Sequence, residues 1–235
     1  MSLRERANGS GSSPDRSGGH GGSDGSGRAG WTLVVPVKPA TVGKSRLAPF
    51  AGEHRTDLAR AMALDTVTAA MACPAVVEVL AVTHDRESGT ALSALGAVVV
   101  SDEPEEGLNA ALRHGATHAR ARRPGCAVAA MLGDLPALRP EELVPVLDAA
   151  LGFPTSFVAD ADAVGTTVYC ATAAVEFTPR FGGASRAAHL AEGAVELDLP
   201  ELTSVRRDVD TEADLMDALR LGVGPRTRAA VALLL

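Results

Sequence analysis

The 235-residue chain carries twenty arginines and only two lysines, and both lysines fall in the stretch Val35 to Leu47, at Lys38 and Lys44. A chain that supplies nearly every other cation as arginine has no compositional reason to change there. A lysine ammonium is a compact point charge suited to phosphate oxygens. With Ser45 and Arg46 beside it, a cation-rich loop that leaves a strand can cradle a triphosphate, because ligands of open α/β sheets gather beyond the carboxyl ends of the strands. Gly43-Lys44-Ser45 imitates a P-loop, but that motif needs glycine at position 38, where Lys38 stands. The phosphate loop is of another kind, and Lys38 could serve a phosphate, the acceptor or a base.

Carboxylates answer these cations from two places. Asp134 follows the apolar run Ala127 to Leu132 directly, where a side chain leaving a parallel strand can hold Mg²⁺ on a substrate phosphate. Asp208 and Asp210 lie two residues apart at the end of another expected strand, so both point to one face if the strand persists. Metal held from two strands would bridge the attacking and leaving oxygens of a phosphoryl or nucleotidyl transfer. One of the latter pair is expected to be structural, since Asp210 or Thr211 could cap the helix that follows. A third region, Gly165-Thr166-Thr167 with Phe181 to Ser185, has glycines and a serine at a helix start, a small anion site that needs no net charge. Asn109 could meet a base or ribose, or cap its helix, and His189 could reach a ligand.

The elements that position these residues read as alternating βα units around a mainly parallel sheet. Strands are expected at Thr32–Val37, Val76–Thr83, Ala97–Ser101, Ala127–Leu132, Ser156–Ala159, Thr166–Cys170 and Ser204–Asp208. Helices are expected at Arg55–Ala72, Leu108–Arg122, Pro140–Ala150, Ala184–Ala191 and Ala213–Leu221. Residues 1–30, with nine Gly and seven Ser, have almost nothing to bury and read as a disordered leader to a single domain over 31–235. The tail after Gly222 could be a last strand, a docked segment or an oligomer contact.

Composition narrows the partners. The net charge is −7, and −8 without the leader, with no basic stripe, which argues against long nucleic acid. No run is apolar enough to span a membrane, and no apolar stretch follows the N-terminal arginines as a signal peptide would require. Cys73, Cys126 and Cys170 are odd in number and widely spaced, which suits a reducing compartment and a cytoplasmic protein rather than a disulfide or zinc framework. There is no G-x-S-x-G and no Cys/His pair for covalent catalysis.

Taken in order, Val35-Pro36-Val37-Lys38 with Lys44 to Leu47, Gly107 to Leu112, Asp134 to Leu138, Gly165-Thr166-Thr167, Phe181 to Ser185 with His189, and Arg207 to Thr211 with Asp214-Leu215 resemble the guanylyltransferase family of coenzyme F-420 biosynthesis. The motifs span nearly all of residues 32–227. The resemblance implies a three-layer nucleotidyltransferase fold, Rossmann-like and akin to glycosyltransferase type A domains. It implies transfer of GMP from GTP to phosphoenolpyruvate, or to 2-phospho-L-lactate in archaeal-type members, with release of pyrophosphate. By the same resemblance Thr167, Gly182 and Ser185 would hold the phosphoacid and Asp134 with Asp208 or Asp210 would hold Mg²⁺, while on the reading of the residues themselves Lys38, Lys44, Ser45, Arg46 and Asn109 would serve the nucleotide. A downstream transferase would accept the product. Where members of the family have Gly-Thr before the G-T-T, this chain has Ala163-Val164. Other readings of the same residues are a molybdenum-cofactor or sugar nucleotidyltransferase and a non-catalytic nucleotide-binding regulator.

Overall fold

The computed structural model of the chain describes residues 30–38, 44–101 and 107–234. The aliphatic, β-branched runs form β1 (Trp31–Pro36), β2 (Val76–Val82), β3 (Val98–Val100), β4 (Ala127–Met131), β5 (Thr155–Ala159), β6 (Thr166–Ala171) and β7 (Val195–Glu196). They hydrogen-bond in the order β3-β2-β1-β4-β6-β5-β7. Pairs β1·β2, β1·β4, β2·β3 and β5·β7 are parallel, whereas β6 runs antiparallel to both β4 and β5. One reversed strand therefore brings its beginning, Thr166, to the sheet edge where β1 and β4 end. In the sheet's centre β1 and β4 are almost wholly buried, which is why they read as continuous apolar runs rather than alternating ones.

Successive side chains of β1 feed opposite faces. Leu33 and Val35 pack under α2 (Arg55–Ala72) and α5 (Pro140–Ala150), together with Met131 and Leu143. Val34 packs on the other face with Leu112 and Ala116 of α4 (Leu108–Arg122). Gly115 allows α4 to lie this close, because a Cβ there would stand 2.4 Å from Val34 Cγ1. Helices on both faces of a mainly parallel sheet give the three expected layers. A further apolar cluster joins Leu47, Leu58 and Met62 to Leu215 of α7 (Glu212–Leu221) and Val231 of α8 (Pro225–Ala232). It anchors the segment just after Lys44, through the short helix α1 (Ala48–Ala51). Among the described residues no helix is long and apolar enough to cross a membrane.

Three long helices, α2, α4 and α5, have the expected limits, and Thr211 caps α7 in a reciprocal box with Asp214. The exception among the strands is Ser204–Asp208. It is a 3-10 turn, Ser204–Arg206, followed by extended chain, and the seventh strand is Val195–Glu196 instead. Its backbone finds partners outside a ladder: Ser204 N–H donates to Glu142 Oε2 (2.8 Å), and Val209 N–H donates to the carbonyl of Asp134 (3.1 Å). The tail is helix α8, fastened to α2 by Asp65, whose buried carboxylate accepts from Thr227 N–H at 2.7 Å. A further helix, α3 (Arg86–Leu95), follows Asp85, an N-cap that accepts from Ser88 N–H, and α6 (Ser185–Ala191) begins one residue later than expected. The leader and Leu235 lie outside the described residues.

Candidate active site

A cavity of about 420 Å³ opens at the edge where β1 and β4 end. Lys38, one residue beyond Val37 at the end of β1, lines it, as do Lys44, Asp134, Asp208 and Asp210. The tie between Val209 and the Asp134 carbonyl holds the second carboxylate segment against the first. The two aspartates thus converge without the strand that was expected to carry them. Neither is a helix cap, since Thr211 takes that role.

Lys44 sits between the carboxylates. Its ammonium donates to Asp134 Oδ2 and, at 2.6 Å, to Asp210 Oδ1. Its backbone adopts a left-handed φ of 60°, uncommon for a residue with a Cβ and costing on the order of 1–3 kcal/mol. Burial by itself would lower its pKa, but the two carboxylates outweigh burial and raise it, so it remains charged. For Asp210 burial pushes upward, yet Lys44, with Arg46 and Lys38 further off, holds the carboxyl below its usual range. Asp208 also feels Lys44, but receives no hydrogen bond from it among the described residues, and the lysine does not offset its surroundings. Burial first, then repulsion from Asp134 and Asp210, pushes it up to about 7. Asp134 Oδ1 is buried and has no hydrogen-bond partner among the described residues. The two lysines that line the cavity, Lys38 and Lys44, do not balance its four carboxylates, Asp134, Asp160, Asp208 and Asp210, and the arrangement has room for a further cation.

The opposite wall is uncharged. Thr166, Gly182, Gly183 and Ser185 line it. Gly182 and Gly183 have φ of 107° and 51°, conformations open to glycine without strain, so the turn can present its backbone to the cavity. Asp160, just after β5, belongs with the carboxylates instead: it lines the cavity, adds to the repulsion on Asp208, and accepts from Val164 N–H (2.9 Å) and Gly165 N–H (2.7 Å). A Cβ on Gly165 would stand 2.4 Å from Asp160 Oδ2, which makes glycine a requirement there.

Several sequence expectations change in this geometry. Thr167 is fully buried behind the wall, its Oγ1 without a partner among the described residues, and Thr166 is the threonine that lines the cavity. The β5·β6 register skips at this point, from Val158↔Val168 to Ala159↔Thr166, so Thr167 is the extra residue of a bulge. Asn109 is neither free for a base nor a cap: Oδ1 accepts from Phe181 N–H (2.8 Å) and Nδ2 donates to the Phe181 carbonyl (2.9 Å). His189 does not reach the cavity but lies fully buried in an aromatic cage. Arg46 is exposed and outside the cavity lining, and the Ser45 side chain and residues 39–43 lie outside the described residues. Asp160 carries a signal like that of Asp134 that sequence reasoning passed over, a carboxylate within three residues of the end of an apolar strand.

Residues 31–232 match the family model described as guanylyl transferase CofC like. The chain belongs to this family. CofC-like relatives include the phosphoenolpyruvate guanylyltransferases of Thermomonospora curvata, 57% identical over 202 residues (86% of this chain and 89% of the relative), and of Streptomyces coelicolor, 57% identical over 206 residues (87% and 97%). Solved structures show that the CofC-like chain has the nucleotidyltransferase fold. A protein of Desulfovibrio desulfuricans G20 assigned as a nucleotide-diphospho-sugar transferase superposes with a TM-score of 0.63 at 18% identity, covering 87% of this chain and 96% of that one. A 4-diphosphocytidyl-2C-methyl-D-erythritol synthase superposes with a TM-score of 0.55 at 12% identity, covering 82% and 98%.

Proposed function

We propose that this chain transfers the GMP unit of GTP to phosphoenolpyruvate, with release of pyrophosphate, as a step of coenzyme F-420 biosynthesis. The observation that carries the reading is a cavity with a carboxylate–lysine cluster on one wall and a cation-free anion site on the other, in a chain of this family. A phosphate oxygen of phosphoenolpyruvate attacks the α-phosphorus of GTP, the bond from that phosphorus to the oxygen bridging to the β-phosphorus breaks, and pyrophosphate leaves with the electron pair. Such transfers depend mainly on positioning and charge neutralisation.

Lys38 and Lys44, with Ser45 and Arg46 on the same loop, would hold the triphosphate and neutralise the departing pyrophosphate. Gly182, Ser185 and Thr166 would hold the phosphoacid, with Thr167 supporting the wall from behind. The buried, partnerless Asp134 Oδ1 and the raised Asp208 both suit a divalent cation, and oxygen-only ligands suit Mg²⁺. Among the described residues no three acidic, His or Cys side chains are already arranged as a complete metal cage. That also suits Mg²⁺, which binds through one or two carboxylates and takes its remaining ligands from substrate phosphates and water. Asp134 with Asp208 or Asp210 would hold it, and bound there it would supply the charge that draws the phosphates together. The product would pass to a downstream transferase.

The test is pyrophosphate release with ATP, CTP, GTP and UTP, each with phosphoenolpyruvate, with 2-phospho-L-lactate and without acceptor. Release only with GTP and phosphoenolpyruvate is expected. Preference for phospholactate would reassign the acceptor, and acceptor-independent release would overturn the reading.

A further inference from the structure

His189 is on α6, one turn from the cavity-lining Ser185, yet its ring is turned inward. It stacks on Tyr169 with centroids 4.8 Å apart and on Phe157 at 5.3 Å, and meets Phe181 edge-on at 5.5 Å. A buried imidazole among aromatics could be simple packing, but both of its nitrogens are used. Nε2 accepts from Arg180 N–H at 2.8 Å, and Nδ1 lies 3.0 Å from Thr166 Oγ1.

These two contacts fix the ring's proton. Nε2 offers its lone pair to an amide, which has no other role than donor, so the neutral ring carries hydrogen on Nδ1. Burial lowers the pKa to about 4, with a hydrogen bond to the Ser185 backbone and the Glu192 charge opposing it and the Arg180 charge adding to it, and the ring stays neutral in ordinary buffers. Thr166 Oγ1 therefore accepts from Nδ1–H, and its own proton is left for another acceptor. Thr166 lines the cavity beside Gly182 and Ser185. The same ring thereby joins the two pieces of the uncharged wall, the start of β6 and the turn that follows Arg180. Asn109 holds the adjoining Phe181 amide and carbonyl from α4.

We propose that His189 is a positioning residue for the phosphoacid subsite: it ties the start of β6 to the Arg180–Ser185 turn and orients the Thr166 hydroxyl as a hydrogen-bond donor to the acceptor's anionic group. This rests on the guanylyl transfer reading above. It makes the acceptor wall depend on a residue that never touches substrate.

The experiment is steady-state kinetics of the full chain, with phosphoenolpyruvate and GTP varied separately, for His189→Phe, Thr166→Val, Thr166→Ser and the double variant His189→Phe/Thr166→Val. The phenyl ring keeps the stacking and removes both hydrogen bonds. Each of the first two is expected to raise KM for phosphoenolpyruvate about tenfold, the scale of one hydrogen bond to a charged group, and to leave KM for GTP unchanged. Thr166→Ser retains the hydroxyl and should recover most of the lost affinity, and the double variant should be no worse than Thr166→Val alone. An unchanged KM for phosphoenolpyruvate in folded His189→Phe, or equal loss toward GTP, would overturn the proposal, since packing alone predicts no such split. If His189→Phe does not fold, the Thr166 pair decides: equal behaviour of valine and serine removes the donor role. Wild-type turnover is the control for the parent reading. Its absence defeats the guanylyl transfer assignment, whereas its presence with insensitive variants defeats only the role of His189.

Discussion

The two walls of the cavity are built from opposite chemistry. On one, Lys38 and Lys44 meet Asp134, Asp160, Asp208 and Asp210, two ammoniums against four carboxylates, and Asp208 is left raised to about 7. On the other, Thr166, Gly182, Gly183 and Ser185 present hydroxyls and backbone, held from behind by the neutral groups His189 and Asn109. The charged wall is unbalanced until ligands arrive, as befits a place where charge must be neutralised during reaction. The uncharged wall has its partners in place beforehand. That division lets an acidic domain bind two anionic substrates, because local cations set the potential whatever the total charge.

The sharpest way to break the comparison is to remove a charge. Asp134→Asn is expected to lower guanylyl transfer by about 10³-fold or more while the chain stays folded, measured as pyrophosphate release. Survival of activity with ordinary Mg²⁺ dependence would move the metal site elsewhere. Lys44→Arg keeps the charge but replaces a point by a planar fork that does not fit between Asp134 and Asp210. A loss of about 10²-fold in kcat/KM is expected, smaller than that of Asp134→Asn.

The uncharged wall should respond more gently and to one substrate. Asn109→Ala releases Phe181 and is expected to raise KM for phosphoenolpyruvate about five- to tenfold with little change for GTP. Equal effects on both substrates would return Asn109 to the nucleotide.

Acid should find the same wall through His189. Its folded pKa of about 4 lies below the ordinary 6.5, so as pH falls the unfolded chain takes up the proton first, and the stability present above pH 6.5 is lost as pH drops toward 4. His189→Phe removes this loss, so the difference in urea stability between wild type and variant should shrink by on the order of 1–3 kcal/mol between pH 7 and pH 4. A constant difference would show a ring that titrates normally.

The smallest effect concerns the rim. Ala163 has φ 55°, left-handed backbone on a residue with a Cβ, in the turn closed by Asp160. Ala163→Gly should stabilise by about 0.5–1 kcal/mol, the strain exceeding glycine's entropic cost, read as a small rise in Tm. A fall in Tm would mean that the turn is unstrained.

Much of this molecule was legible in local pattern. The segments Arg55–Ala72, Leu108–Arg122 and Pro140–Ala150 announce helices because periodicity, proline at a first turn and flanking turn residues act within a few positions. The lone pair of lysines pointed to the loop, and Asp134 to the end of β4, because composition and strand ends are local facts. Ser204–Asp208 misled for the complementary reason. Its residues suit a strand, but the Glu142 carboxylate, distant in the chain, takes the amides of Ser204 and Val205, and the Asp134 carbonyl takes that of Val209 just beyond.

What the sequence by itself determined, then, was the alternation of elements, the family motifs and which residue types were available for phosphate and metal. The tertiary structure alone decided their partners. It placed Lys44 between Asp134 and Asp210, put Thr166 rather than Thr167 on the cavity lining through a one-residue bulge, and gave Asn109 and His189 partners within the protein. Sequence spacing governs direction within one helix or strand. Register, close approach and hydrogen bonding between segments that are distant in the chain are settled only when the layers pack.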